Sequence, residues 1–279
     1  MKKTILFVLA FCFSLSIVEG NIGLAFNGKT EKRKDLPVHG FCAHRGAMVT
    51  HPENTIVAFK AAVEAGAQMV ELDVWLTQDG KMVIMHDETV DRTTNGSGRI
   101  SDFTLAKIKK LDAGSWKSSD FEGEKVPTFE EALSVLPRNI WINVHVKGEG
   151  ETPVMAAKLL QKENRLNQAF LACSGKAAKD AKEAVPGILI CNMDRQDSNW
   201  DYVNATIKMK ANFIQLKGKI TPEFAEYTKA LKKNGIRVNY FGTDSPDELK
   251  LLFEYGVDFP LVNDIVHTSG YLETILEGL

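Results

Sequence analysis

Short apolar runs alternate with amphipathic stretches along most of this chain, the pattern of strands and helices taken in turn. Phe41-Cys42-Ala43-His44 reads as a short buried strand. Pro52 and Glu53 open a helix whose buried face is Val57, Phe59, Ala62 and Val63, and Gly66 stops it. Residues 69–77 form the second strand, with Glu71, Asp73 and Trp75 on one side by period-two alternation. Gln78-Asp79-Gly80 is a turn, and residues 81–86 return as a hairpin arm that brings His86 opposite Leu72 or Asp73.

Residues 89–126 break the repeat. They hold a Gly-rich turn (Asn95-Gly96-Ser97-Gly98), a short helix around 104–110, and the aromatic residues Phe103, Trp116 and Phe121. Long connections in compact domains usually carry function, so this excursion is expected to be a substrate-side flap. Beyond Pro127 the alternation is regular. Helices are expected at 128–136, 153–163, 175–184, 199–209, 222–233 and 246–255. Strands follow them at 140–147, 169–173, 187–191, 212–216, 236–241 and 258–262, with a closing helix at 269–277. Together with the first two, that is eight strands alternating with helices, which predicts an α/β fold, a (β/α)8 TIM barrel with an inserted hairpin and loop excursion after the second strand. An open doubly wound sheet is the alternative, but no Gly-x-Gly-x-x-Gly follows a first strand.

Composition narrows the function. The chain has 279 residues, is 44% hydrophobic and carries a net charge of −2, so it lacks the concentrated basic face that nucleic acid demands. Its lysines are scattered, which also argues against an anionic membrane patch. The N-terminus differs: Met1-Lys2-Lys3, an apolar run over 4–18 and Glu19-Gly20 read as a secretory signal peptide expected over residues 1–20. Cys12 lies inside the apolar run after the bulky Phe11, which speaks against a lipoprotein. Residues 21–37 read as a flexible leader and 38–279 as one domain, exported and expected in a periplasm. Cys42, Cys173 and Cys191 remain after the signal. An odd set at unpatterned spacing is no disulfide framework, and Cys173–Cys191 is the one pairing worth testing in an oxidising compartment.

The charged residues gather within 42–87. Glu71 and Asp73 share one strand face, and two like charges buried together need a cation or a proton between them. Oxygen ligands favour Mg²⁺ or Ca²⁺. Further on, Asn143, His145 and Lys147 alternate onto one face of the 140–147 strand, so His145 is either a satisfied core residue or a third ligand. His44 and His86 suit an acid and base pair near neutral pH. Arg45 and Lys147 suit a phosphate or another compact anion. Two imidazoles, cationic side chains and a divalent ion together fit phosphodiester cleavage.

These segments resemble the glycerophosphodiester phosphodiesterase family. The resemblance lies in His44-Arg45-Gly46, Pro52-Glu53-Asn54-Thr55, Glu71-Leu72-Asp73-Val74, Asp79-Gly80, His86-Asp87 and Asp91-Arg92-Thr93-Thr94. It continues through Leu111-Asp112-Ala113-Gly114, the 126–133 segment and Gly256-Val257-Asp258. The resemblance implies a TIM barrel and a divalent-metal hydrolase releasing glycerol 3-phosphate and an alcohol from a small anionic substrate. It implies His44 and His86 as the acid/base pair, Arg45 and Lys147 as substrate ligands, and Glu71 and Asp73 as metal ligands. Where the family usually has Asn-Ile-Glu-Ile-Lys, this chain has His145 for the glutamate, an exchange that removes a negative charge and favours Mn²⁺ or Zn²⁺ over Ca²⁺ and Mg²⁺. Asn239-Tyr240-Phe241 and Asn263-Asp264 also depart from the family's usual Trp and Thr-Asp. A lyase or dehydratase acting on an anionic sugar is the alternative, with His145 as an acid. A binding protein with a degenerate site is a third reading.

Overall fold

The computed structural model describes residues 36–277; the expected signal segment and all but the last two leader residues lie outside them. Eight parallel strands close into a ring: β1 (Cys42–Ala43), β2 (Met69–Leu76), β4 (Trp141–Val146), β5 (Ala169–Cys173), β6 (Leu189–Asn192), β7 (Phe213–Lys217), β8 (Arg237–Phe241) and β9 (Phe259–Val262). β1 pairs with both β2 and β9, which completes the barrel. The ninth strand, β3 (Met82–Ile84), runs antiparallel to β2 with Val74 opposite Ile84. Continuing that register puts His86 across from Leu72. The expected hairpin arm is therefore present.

Helices join the strands: α1 (Ile56–Glu64), α2 (Leu105–Ile108), α3 (Phe129–Val135), α4 (Glu151–Lys162), α5 (Gly175–Ala184), α6 (Trp200–Met209), α7 (Glu223–Lys233) and α8 (Pro246–Glu254). Of the closing helix expected at 269–277, the first turn is a 3₁₀ turn at Ser269–Tyr271 and the rest is α10 (Leu272–Glu277); a short α9 (Ile265–Thr268) precedes it. A second difference lies at the start of α1. Asn54 sits at φ 58°, which no helix tolerates, so the helix begins only after Thr55, whose Oγ1 accepts from Ala58 N at 3.3 Å. Pro52 and Glu53 are loop residues.

Alternation along each strand sorts the side chains. One set faces the helices and forms the large outer core, including Val70, Leu72, Val144, Leu171, Ile190 and Ile214. The other set fills the barrel: Cys42, Met69, Trp141, Phe170, Phe213 and Phe259 with their neighbours. Phe170 stacks on Phe213 at 3.9 Å, and Trp141 meets the same ring edge-on at 5.2 Å. Burying each such side chain is worth roughly 1.5–3 kcal/mol. This apolar plug also sets the level of the chemistry. Two residues beyond Met69 stands Glu71, and two beyond Trp141 and Phe213 stand Asn143 and Gln215, so polar groups begin where the plug ends, toward the C-terminal mouth.

The 89–126 excursion has a small core of its own, in which Val90, Ile100, Ile108, Ala113 and Val126 pack on Val83 and Met85. The carboxylate of Asp112 closes a loop in its second half by accepting from Gly114 N, Ser115 N and Gly123 N at 2.6–2.9 Å. The three cysteines of the described residues are free. Cys191 is in register with Ala172 and faces the barrel interior, whereas Cys173, one position on, faces the helices. The two thiols lie on opposite faces of the sheet, which rules out the Cys173–Cys191 bridge. Among the described residues no helix is long and apolar enough to cross a membrane.

Candidate active site

The site is built around a tight turn after β1. His44 N bonds Val262 O at 3.0 Å, extending the β1–β9 pairing by one residue. Arg45 (φ 53°) and Gly46 (φ 77°) then reverse the chain in the left-handed region. Here glycine is required, because a Cβ on Gly46 would meet the Ala58 carbonyl at 2.8 Å. The turn aims Arg45 N at Glu71 Oε2, 3.0 Å away, and Arg45 O accepts from Asn54 N at 3.0 Å. Asn54, held left-handed, in turn clasps Asp73: its Nδ2 donates to Asp73 Oδ2 at 2.8 Å and its Oδ1 accepts from Asp73 N at 3.3 Å. Such residues at φ > 0 carry strain that the surrounding hydrogen bonds must hold.

Glu71 on β2 is in register with Asn143 on β4, and Asp73 with His145. His145 Nδ1 lies 3.2 Å from Asp73 Oδ1 and 3.7 Å from Glu71 Oε1. Lys147 Nζ lies 3.0 Å from the same Asp73 oxygen. These are ion-pair contacts without hydrogen-bond angles, and Asp73 Oδ1 has no aligned donor. Burial pushes the Glu71 carboxyl up, and the neighbouring Asp73 charge pushes it further. Burial acts the same way on Asp73, but contact with His145 and the charge of Lys147 outweigh it and hold Asp73 well below the usual carboxylate range. Ligand atoms of Glu71, Asp73 and His145 fall within 4.8 Å of one another. Two buried carboxylates, one of them short of compensation, with an unsatisfied oxygen and an imidazole alongside, make a donor set suited to a divalent cation.

The two histidines flank this cluster. His44 is buried, with its ring against Phe241 at 4.9 Å and its Nδ1 2.8 Å from Asn263 Oδ1. Burial and then the Arg45 charge lower its pKa, against smaller opposing effects of Asn263 and Asp73. His86 follows β3; its Nδ1 lies 2.7 Å from Asp87 Oδ1, and its carbonyl accepts from Trp75 Nε1 at 3.2 Å. Burial also lowers the His86 pKa, with Asp87 opposing. Both rings thus have Nδ1 engaged and leave Nε2 for a substrate. His44, Arg45, Glu71, His86, Asn143 and His145 line one pocket of about 140 Å³, whose far wall adds Met193, Gln196 and Gln215. Asp73 and Lys147 do not line this pocket; they pair with each other beside His145, so Lys147, expected as a substrate ligand, contacts Asp73 instead.

Sequence reasoning missed the residues that hold this set in place. The Glu53 carboxylate, 5% exposed, accepts from Arg45 Nη1 at 2.9 Å and is gripped by Arg92 Nη1 and Nη2 at 2.9 and 2.7 Å. Arg92 also reaches Asp87, at 2.6 Å through Nε. Arg92 holds the Asp87 carboxyl down at about 2, with His86 adding to the effect. One arginine from the excursion therefore ties the Arg45 support to the His86 support. Glu53, Asp87 and Arg92 stand inside the motif blocks, so a signal existed. Asp244, which bonds Asn263, has none.

A closed α/β barrel that gathers two imidazoles, two arginines and a donor set suited to a divalent cation at its mouth has the parts that chemistry on phosphoric esters requires. Residues 44–267 match the model of the glycerophosphoryl diester phosphodiesterase family, and the chain belongs to that family. A glycerophosphodiester phosphodiesterase of Caldanaerobacter subterraneus subsp. tengcongensis is 36% identical over 229 residues, covering 80% of this chain and 93% of the relative. An Oleispira antarctica phosphodiesterase, solved in complex with the product sn-glycerol-3-phosphate, superimposes with a TM-score of 0.74 at 25% identity, covering 87% of this chain and 97% of that one. A glycerophosphodiester phosphodiesterase from Agrobacterium tumefaciens shares the fold, with a TM-score of 0.73 at 24% identity over 83% of this chain and 99% of that one.

Proposed function

We propose that this protein hydrolyses glycerophosphodiesters to glycerol 3-phosphate and an alcohol, using His44 and His86 as its acid/base pair. The observation that carries the reading is the pairing of two imidazoles in one pocket, each braced at Nδ1 and free at Nε2, beside Arg45 and a buried dicarboxylate. The name of the Caldanaerobacter relative and the product bound to the Oleispira enzyme support the substrate class.

In the reaction the oxygen of the nucleophile bonds to phosphorus as its proton passes to one imidazole. The bond from phosphorus to the leaving oxygen breaks as the other imidazole supplies a proton, so each ring ends in the other's starting state. Arg45 neutralises the phosphoryl oxygens, fixed for that task by Glu53. Lys147 and Asn54 hold Asp73 in place, and Arg45 N holds Glu71. Glu71, Asp73 and His145 would hold a divalent ion, which supplies Lewis-acid stabilisation of the charge on phosphate. With one imidazole among its donors, the set favours Mn²⁺ or Zn²⁺ over Ca²⁺ or Mg²⁺.

The basic and apolar N-terminal segment supports export, with removal of the first twenty or so residues. Mass spectrometry of the protein from a periplasmic extract tests that point. The activity is tested by incubating the protein with a deacylated phospholipid and a series of divalent ions, then assaying glycerol 3-phosphate. Release that disappears in His44→Ala supports the reading. No release with any ion defeats it, and an unsaturated product without phosphate transfer would point to a lyase on the same scaffold.

A further inference from the structure

The two histidines are braced by different chemistry, and the difference has a source. His86 faces a carboxylate, whereas His44 faces the side-chain amide of Asn263. An amide offers an acceptor on one side and a donor on the other, so its orientation decides what the imidazole sees. Here Asp244, in the loop between β8 and α8, decides it. Its Oδ1 accepts from Asn263 N at 2.6 Å and from Asp264 N at 3.3 Å, while its Oδ2 accepts from Asn263 Nδ2 at 3.2 Å. A carboxylate can only accept, so the Asn263 NH₂ is committed to Asp244. The carbonyl oxygen is thereby left facing His44 Nδ1, and that nitrogen must carry the hydrogen. Nε2 then enters the pocket with its lone pair free.

We propose that Asp244 and Asn263 are positioning residues, an amide lock that sets the tautomer of His44 and so makes its Nε2 the proton acceptor of the reaction. The asymmetry between the two rings supports the division of labour. Asn263 brings no charge to stabilise an imidazolium at rest, whereas Asp87 does, so His86 is the partner suited to arrive protonated and to donate to the leaving oxygen. The inference rests on the phosphodiesterase reading for its catalytic consequence, but the tautomer stands on hydrogen bonding alone.

The lock makes a specific demand on its variants. In Asp244→Asn the Oδ1 stays with the two backbone N–H groups, and the new NH₂ faces Asn263 as a donor. Asn263 must then turn its oxygen to Asn at 244 and its NH₂ to His44, which forces the proton from Nδ1 to Nε2. Adding Asn263→Asp restores an acceptor on both sides.

The test is ¹⁵N NMR of the imidazole nitrogens in the full chain, with the His44 resonances identified through His44→Ala, alongside steady-state kinetics on a glycerophosphodiester. Wild type should show an unprotonated Nε2. D244N should show an unprotonated Nδ1, with kcat lowered on the order of a hundredfold and KM within about twofold. D244N/N263D should regain the Nδ1-protonated tautomer in the neutral ring; because the new carboxylate favours the imidazolium, the rise of kcat should move to higher pH, and above it most of the lost kcat should return, a rescue that a merely structural role for Asp244 would not give. Asn263→Ala, which lacks the acceptor, should mix the tautomers and gives the same readout should D244N fail to fold. An unchanged tautomer in D244N, or a folded double variant as slow as D244N at every pH across its profile, overturns the proposal. Absence of hydrolysis by wild type with the tautomers behaving as stated overturns the phosphodiesterase reading instead and leaves the lock intact.

Discussion

Arg92→Met separates the excursion from the catalytic centre. Arg92 makes four charged contacts, two to Glu53 and two to Asp87, and all are lost together. Its own side chain is 44% exposed, so solvent screens the arm toward Asp87, and that arm adds little to stability. The fork to Glu53 is different, because Glu53 is 5% exposed and keeps only Arg45 when Arg92 is gone. Hydrogen bonds to a charged group are worth roughly 1.5–3 kcal/mol, and removing one partner of a buried pair costs about 3–5 kcal/mol. Since Glu53 retains one partner, the expected loss is about 2–3 kcal/mol, or roughly 5–10 °C in Tm for a domain of this size.

The same variant should also slow turnover by roughly ten- to hundredfold, because Asp87 no longer fixes the His86 ring. Arg92→Lys keeps the charge but not the planar fork and should fall between the two. Urea unfolding and kcat on one diester measure both effects. Acid unfolding adds a third. Arg92 holds the folded Asp87 carboxyl at about 2, below its unfolded value of roughly 3.9, so its contribution is present above pH 4 or so and is lost as pH falls toward 2. In R92M that part of the acid sensitivity should disappear. A variant within about 0.5 kcal/mol of wild type and equal to it in kcat would refute the idea that the excursion braces the site.

Gly46→Ala should cost more than Gly80→Ala. Both positions have positive φ, worth about 1–2 kcal/mol for any other residue, but only at Gly46 would the new Cβ strike backbone, the Ala58 carbonyl at 2.8 Å; paired urea curves show the difference. Glu71→Gln should weaken divalent-ion binding by more than the roughly 10–100-fold lost when a residue that merely supports a ligand is removed, and His145→Glu should shift preference toward Ca²⁺ and Mg²⁺; calorimetric titration of each ion reads both. Alkylation of the unfolded protein should modify Cys42, Cys173 and Cys191 equally with and without reductant, as counted by mass spectrometry.

The barrel was legible in the sequence because its signal is physical periodicity. Strand interiors such as 140–147 and 169–173 are short and apolar, and each helix between them has one buried stripe. The arm bearing His86 was legible for the same reason, since a two-strand register follows from the position of its turn. The start of α1 was not. Pro52-Glu53 has the composition of a helix opening, but Asn54 in the left-handed region breaks it, and the reason lies 19 residues away in the carboxylate of Asp73. Tertiary bonding of that kind leaves no mark on local propensity. The Asp244–Asn263 contact is equally silent, because it joins a loop to a strand end through the single carboxylate of Asp244. The Cys173–Cys191 pairing failed on a point that spacing cannot carry: a single step in register separates two faces of a sheet.

The ring closes on very little. β1 contributes only Cys42 and Ala43, and the hydrogen bond from His44 N to Val262 O is the next rung of the same ladder. The first chemical residue of the chain therefore depends, through both its backbone and its ring, on segments that leave the ribosome more than two hundred residues later. A chain that stops short of β9 has His44 but neither Val262 nor Asn263 to place it. With His44 in the proposed role, competence would arrive only with the last strand, so chains that end before Val262 should release no glycerol 3-phosphate in the same assay even where most of the barrel has formed.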